Sequence, residues 1–490
     1  MKVLLVSAAT PDTFWSFKYI MPFLSKKAAF PPLGLLTVAA MLPRDWQLKF
    51  VDLNAARLTD ADIAWADYVF LSAMLVQADS ARQVALRCRQ KSKTVIAGGP
   101  LFTTSHDQFP EIDYFVLGEA EDLMPALVAD MESGRLQNFY QSDERPDVAQ
   151  APIPRWDLIK LRHYATMPLQ LSRGCPFDCE FCDIIVMNGR VPRVKAPDQM
   201  IRELESLAHA GWAGSIFIVD DNFIGNKVKV KALLRALIEW RKTNRTPFAL
   251  TTEASLNLAD DPELLELMVQ AGFKKVFVGI ETPDEASLLE CGKVQNADRD
   301  LLGSVRTIQN SGLEVMGGFI IGFDSDNPNI FEIQSRFIQE SGIVTAMVGL
   351  LTALPGTRLF SRLKSEGRIL AAATGNNLDG MLNFIPKLDR EMLVQGYRSL
   401  VRRLYAPNEY YRRILNFLQQ YKPRGPKVRP TLCEWKALLK SFWVIGVCNR
   451  GRRAYWKFLT RVLVCYPRKF PEAMTLAIMG HHFRRVAAAI

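Results

Sequence analysis

The chain has 490 residues, 49% of them hydrophobic, which is enough for several domains with large cores. It contains no run of 18 or more apolar residues, so no transmembrane helix is expected; the opening MKVLLVSAATPDTFW is too short in its apolar part for a signal peptide and reads as a first buried strand, which points to the cytoplasm. The net charge of +10 is unevenly spread: from Glu391 onward 20 Lys and Arg face 4 Asp and Glu, whereas the preceding 390 residues carry 41 against 47.

In chain order, Val3 to Val6, Leu48 to Val51, Tyr68 to Ser72, Thr94 to Ala97 and Tyr114 to Leu117 are short, nearly continuous apolar runs, as strands buried on both faces are. Helical patterns at Leu33 to Met41 and Ser80 to Gln90 lie between them. The alternation predicts a doubly wound, Rossmann-like α/β domain over residues 1–145. Such sheets take ligands at the carboxyl ends of their strands, here Ser72, then Gly98 and Gly99, then Gly118 and Glu119. Glycine there lets a flat ligand or a phosphate lie against backbone. No G-x-G-x-x-G follows the first strand, which disfavours a dinucleotide. A Pro-rich stretch, Arg145 to Pro154, opens a linker over 146–163.

Residues 164–380 repeat a strand-then-helix unit six times. Strands are expected at Pro168 to Ser172, Ser215 to Asp220, Phe248 to Thr252, Lys275 to Ile280, Val315 to Ile321 and Thr345 to Leu351. Helices are expected at Asp198 to Ala210, Lys227 to Arg241, Pro262 to Ala271, Asp298 to Ser311, Asn329 to Ser341 and Arg358 to Ser365. The pattern predicts a partial, TIM-type (β/α)6 barrel. Directly after its first strand stands Ser172-Arg173-Gly174-Cys175-Pro176-Phe177-Asp178-Cys179-Glu180-Phe181-Cys182, at the end of the barrel where active sites are built. Three thiolates so spaced suit three irons of a [4Fe-4S] cubane and leave the fourth open. The alternative is a structural zinc site, which calls for a fourth Cys or His at short spacing; His163 and His209 are not so placed. The other cysteines, Cys88, Cys291, Cys433, Cys448 and Cys465, are too scattered for a disulfide scaffold and are expected in packed cores. Later strand ends carry Asp220, Asp221 and Asn222, then Glu253, then Glu281, and Gly318 lies in the fifth strand. Each Glu reads as a functional group or a solvated strand end, and the glycine as a ligand contact or close packing.

The cysteine triplet resembles the signature of the radical S-adenosylmethionine superfamily, Cys-x3-Cys-x-aromatic-Cys, with Phe181 at the aromatic position. The resemblance implies a [4Fe-4S] cluster on Cys175, Cys179 and Cys182 whose open iron chelates S-adenosylmethionine, and reductive cleavage of that molecule to a 5′-deoxyadenosyl radical. It further implies that Asp220, Asp221, Asn222, Glu253, Glu281 and Gly318 lie around the cofactor. The first 150 residues resemble the cobalamin-binding domain fused to many such enzymes, through Pro31-Pro32-Leu33-Gly34-Leu35, Ile96-Ala97-Gly98-Gly99-Pro100 and Asp113-Tyr114-Phe115-Val116-Leu117-Gly118-Glu119. By that resemblance Ser72, Gly98, Gly99, Gly118 and Glu119 contact cobalamin. The D-x-H-x-x-G motif is absent, since Thr104 stands two residues before His106, and the lower cobalt ligand stays unassigned.

From about Asn383 strand signals fade, and residues 381–490 are expected to form a mainly helical, basic domain. Tyr410 to Arg413 and Arg452 to Lys457 mix cations with aromatics, as a solvated face or an anionic membrane surface would; nucleic acid is not expected. Leu382 to Lys387 and Leu393 to Tyr411 resemble the C-terminal extension of the subfamily that holds hopanoid C-2 methylases and archaeal lipid ring-forming enzymes. Together the resemblances imply a cobalamin-dependent C-methyltransferase acting on an unactivated carbon of an apolar, hopanoid-like or other lipid substrate. The alternative is radical C–C bond formation or rearrangement without methyl transfer. Methylthiolation of transfer RNA is disfavoured, because those enzymes need three further N-terminal cysteines and only Cys88 is present. The partners implied are a small-molecule or lipid substrate, a flavodoxin or ferredoxin as reductant, and a peripheral position at the inner membrane surface.

Overall fold

The computed structural model describes residues 1–244, 248–425 and 432–490, the side chains of 432–434 excepted. Strands β1 (Lys2–Ser7), β2 (Gln47–Asp52), β3 (Tyr68–Ser72), β4 (Thr94–Gly98), β5 (Tyr114–Leu117) and β6 (Phe139–Gln141) form one parallel sheet in the order β2-β1-β3-β4-β5-β6. Val3, Leu4, Leu5 and Val6 are all fully buried, with Leu4 and Val6 in one apolar cluster and Val3 and Leu5 in another. Helices on both faces therefore explain the unbroken apolar runs. The short edge strand β6 is an addition to the expected set; its exposed–buried–exposed pattern leaves only Tyr140 inside, too weak a signal to read from sequence.

The second sheet holds β7 (Thr166–Leu169), β8 (Ser215–Ile218), β9 (Leu250–Ala254), β10 (Phe273–Glu281), β11 (Glu314–Ile321) and β12 (Ala346–Leu350), all parallel and in sequential order, so β7 and β12 are its edges. Pro168 is tolerated because β7 is an edge strand. The expected strand Pro168 to Ser172 is split in two: β7 ends at Leu169, and Ser172–Arg173 pairs antiparallel with Arg193–Val194.

The six-stranded sheet leaves one side of the barrel open, and the crossover between β1 and the helix Leu33–Met41 runs across it. Beside β7, Thr166 N donates to Ala29 O (2.8 Å) and Ala165 N to Ala28 O (3.1 Å). At the other side Trp15 Nε1 donates to Met347 Sδ of β12 (2.9 Å), and the Trp15 ring packs edge-on against Phe277 of β10 at 5.3 Å. The segment 146–163 is packed as well: Gln199 Nε2 donates to Val148 O and Ala151 O (3.3 and 3.2 Å), and Trp156 is buried.

The C-terminal region is helical as expected, with helices Arg390–Leu404, Pro407–Gln420, Leu432–Val444, Arg452–Cys465 and Phe470–Ala489. The last helix braces the crossover from behind: Phe483 stacks on Phe14 at 4.4 Å, and the His482 ring is hydrogen-bonded to Phe14 O at 2.9 Å. Among the described residues no helix is long and apolar enough to cross a membrane. Cys88 and Cys291 are buried, but Cys448 and Cys465 are exposed, because they stand near helix ends outside the core-facing stripe; the Cys433 side chain lies outside the described residues.

Candidate active site

The cysteine loop is held by the residues that follow β8. Asp220 is 1% exposed and accepts from Leu171 N and Ser172 Oγ, each at 2.7 Å. Burial pushes its carboxyl up to about 7. Asp221 accepts from Gly174 N (3.0 Å) and Asn188 Nδ2 (2.9 Å). Asn222 Nδ2 lies 3.2 Å from Ser255 Oγ and 3.9 Å from Cys175 Sγ. Gly174 has φ +98°, and a Cβ there would meet the carbonyl oxygens of Gly189, Val191 and Asn188 at 2.9, 3.0 and 3.1 Å, so only glycine fits. Asp220 and Asp221, expected around a bound cofactor, thus spend their hydrogen bonds on shaping the loop.

Within the loop, Glu180 N donates to Cys291 O (2.8 Å) and Cys182 N to Cys179 O (3.2 Å), while the Glu180 carboxylate is paired with Arg362 at 2.7 Å. Phe181 packs against Phe323 at 6.1 Å. Cys179 is buried and Cys175 and Cys182 are half-buried. Burial pushes all three thiols up, Cys182 to about 12, and the buried Lys293 ammonium acts on each in the opposite sense. Burial disfavours the charge on Lys293, yet Glu281, at 2.7 Å, and Cys179 hold its pKa above the ordinary value. Glu281 has φ +64°, at a slip in the β10–β11 register, a conformation a non-glycine residue adopts only under constraint.

Glu253, at the end of β9, differs from the other acids. Among the described residues nothing donates to its carboxyl, and burial together with Asp221 and Asp220 pushes it up to about 8. Gly318 serves packing: a Cβ there would lie 2.8 Å from Phe277 Cζ, so this glycine makes room for the ring on which Trp15 rests. Among the described residues no three His, Cys, Asp or Glu converge on one ion position. A cubane spreads its thiolates over separate irons, and a loop offering three thiols in succession fits that donor set.

The ends of β3, β4 and β5 form a bed almost bare of side chains. Gly99 has φ +100°, and a Cβ on it would meet Ser72 Oγ at 2.9 Å; on Gly98 it would meet Val116 O at 3.1 Å. Gly118 has φ +89° with nothing within 4 Å of its Cβ position. Strand order reverses between β1 and β3, where doubly wound sheets open a crevice, and a flat corrinoid fits such a surface. Glu119 is turned elsewhere: it pairs with Arg193 at 2.5 Å and Arg173 at 2.6 Å, and Arg173 also pairs with Glu121 at 2.6 Å. The carboxyl ends of the two sheets thus meet at an ion cluster two residues from Cys175. His106 packs against Phe115 and Phe139, at 5.7 and 5.4 Å. Sequence reasoning missed Arg173, Glu121, Lys293 and Trp15. Arg173 stands inside the cysteine motif and Glu121 two residues beyond Glu119, but Lys293 and Trp15 meet partners that no local pattern announces.

A barrel carrying this loop beneath a corrinoid bed defines a radical S-adenosylmethionine enzyme with a cobalamin-binding domain. The Radical SAM superfamily matches residues 169–333, the B12 binding domain residues 24–128, and a domain of unknown function, DUF4070, residues 357–490. An uncharacterised methyltransferase of Synechocystis sp. is 41% identical over 99% of this chain and 91% of its own length. The hopanoid C-2 methylase of Rhodopseudomonas palustris is 35% identical over 98% of this chain and 92% of its own. Among solved structures, the cobalamin-dependent radical enzyme OxsB with aqua-cobalamin and S-adenosylmethionine bound shares the fold at TM-score 0.64 and 14% identity, covering 100% of this chain and 80% of that one. The methyltransferase TsrM of Kitasatospora setae, with cobalamin and a [4Fe-4S] cluster bound, does so at TM-score 0.60 and 15% identity, over 100% and 99%. The chain belongs to the family of cobalamin-binding radical S-adenosylmethionine methyltransferases that includes hopanoid C-2 methylase. It is a methyltransferase, and its cofactors are a [4Fe-4S] cluster, S-adenosylmethionine and cobalamin.

Proposed function

We propose that this methyltransferase acts on an unactivated carbon of an apolar, lipid-class substrate held in the barrel. The observation that carries this reading is the wall across the barrel's open side: Trp15 lies against Phe277 and Met347, and Phe30 lies 6.3 Å from Phe217. Such a surface sheds water and offers few hydrogen bonds, which suits a hydrocarbon skeleton. The activity named for the hopanoid relative agrees with it.

In this reading Cys175, Cys179 and Cys182 would each hold one iron, with Lys293 balancing the negative charge they gather. Glu253, without a donor among the described residues, would accept from the ammonium of S-adenosylmethionine, and Phe181, packed on Phe323, would stand beside the cluster. Ser72, Gly98, Gly99 and Gly118 bed the corrinoid, and Glu119 ties that bed to the barrel through Arg173. When bound, cluster and S-adenosylmethionine supply the radical that opens a C–H bond, and cobalamin supplies the methyl group. Domain boundaries at 145, 163 and 380, a flavodoxin or ferredoxin as reductant, and a cytoplasmic location at the inner membrane face complete the proposal.

The test compares lipid extracts by mass spectrometry from cells with the gene, without it, and with a Cys179→Ala copy. A lipid heavier by one methylene unit in the first alone is expected. Identical extracts from all three, in cells where the protein is made and carries its cluster, would refute a lipid substrate.

A further inference from the structure

The helix Leu432–Val444 shows solvent an apolar stripe. Trp435, Leu439 and Trp443, spaced four residues apart, are 55, 66 and 66% exposed, while Ala437, Ser441 and Ile445 on the opposite side are buried. On the next helix, Arg452–Cys465, Val464 is 76% and Trp456 44% exposed. Phe442 and Trp456 stack at 6.0 Å, and Ser441 Oγ lies 3.0 Å from Tyr455 OH, so the two helices make one surface. Residues 432–470 contain nine Lys and Arg and a single acid, Glu434. Among the described residues Lys436, Arg453, Lys457 and Arg461 are exposed and form no ion pair.

Exposed tryptophans of this density are costly in water and are not needed for solubility. Tryptophan rings beside unpaired cations match the headgroup layer of an anionic bilayer, where the rings enter the interface and the cations meet lipid phosphate. A protein partner would need a large acidic surface with complementary pockets, and a second copy of this chain would bring like charge against like charge. Nucleic acid satisfies the cations and leaves an aliphatic Leu439 and Val464 with no partner.

We infer that these two helices form a docking surface for anionic phospholipid bilayers. The inference rests on the lipid reading only for its purpose, since the surface itself is independent of the substrate. Its placement serves that purpose: Lys440 Nζ of the same helix donates to Pro22 O at 2.7 Å, in the very crossover that walls the barrel. Docking through this face therefore sets the walled side of the barrel beside the membrane.

The experiment is co-sedimentation of the reconstituted holoenzyme with vesicles of phosphatidylcholine alone or mixed equally with phosphatidylglycerol, at low and high salt. Binding is expected to the mixed vesicles only, and to weaken with salt. Trp435→Ala/Trp443→Ala and Lys457→Glu/Arg461→Glu variants are each expected to lose about tenfold in binding while S-adenosylmethionine cleavage and circular dichroism stay unchanged. Equal binding to both vesicle types, no binding to either, or unchanged binding by both variants would overturn the inference. So would a dimer in analytical ultracentrifugation that the tryptophan variant abolishes, or displacement from mixed vesicles by single-stranded DNA. Vesicle binding without a methylated lipid would leave this surface standing and remove the substrate proposal, and the converse result would do the opposite.

Discussion

Glu253 is the acid whose environment is most at odds with its charge. Burial and the neighbouring Asp221 and Asp220 push its folded pKa up to about 8, above the ordinary carboxylate range, so the native state holds more protons than the unfolded chain in between. The stability its neutral form preserves is complete below the ordinary carboxylate value and is lost as pH rises through about 8. Glu253→Gln is therefore expected to raise apoprotein stability by about 1–3 kcal/mol above that pH and to change little in acid. Urea midpoints at the two ends of the range check it, and equal midpoint shifts at both would show that the carboxyl is not strained. Asp220 is shifted in the same direction but accepts two hydrogen bonds, so its replacement mixes relief of charge with loss of the loop.

At the scale of elements, the crossover from β1 closes the barrel. Trp15→Ala removes the ring that bridges β10 and β12, and a loss of about 1–3 kcal/mol is expected for a large, partly buried side chain. Hydrogen exchange should quicken at β12 and at the backbone bonds of 28–29 with β7. Unchanged exchange at those places would mean that the wall is held by the C-terminal helices alone, through Phe14, Phe483 and His482. This element also marks how far the sequence could be read. Strands such as Tyr68–Ser72 and Tyr114–Leu117 fall where the apolar runs put them, because burial on both faces leaves a local trace. The cysteine loop was legible for the same reason, since its spacing and its place after a strand are both local. Trp15 against Met347, or Glu119 against Arg173, joins residues far apart in the chain whose own neighbourhoods show no periodic pattern.

At the scale of the molecule, the two sheets are joined end to end by Arg173. Burial alone would raise the Glu121 carboxyl, but Arg173 holds it below the ordinary carboxylate value. That contribution is present above the ordinary carboxylate range and is lost as pH falls through the lower folded value. Arg173→Ala leaves the buried Glu121 carboxylate without its partner while Glu119 keeps Arg193, and a cost of about 3 kcal/mol is expected near neutral pH, shrinking in acid. Thermal melts across that range, with limited proteolysis of the 146–163 segment, read both stability and the joint between domains. A pH-independent loss would assign Arg173 to packing alone. The origin of the barrel's wall also has an evolutionary corollary. Because that wall is drawn from the same polypeptide module as the corrinoid bed, a chimera that exchanges residues 1–145 for a relative's would transplant part of the substrate chamber along with the methyl carrier. Recombination between such modules would therefore change what is methylated and how the methyl group is delivered in a single event.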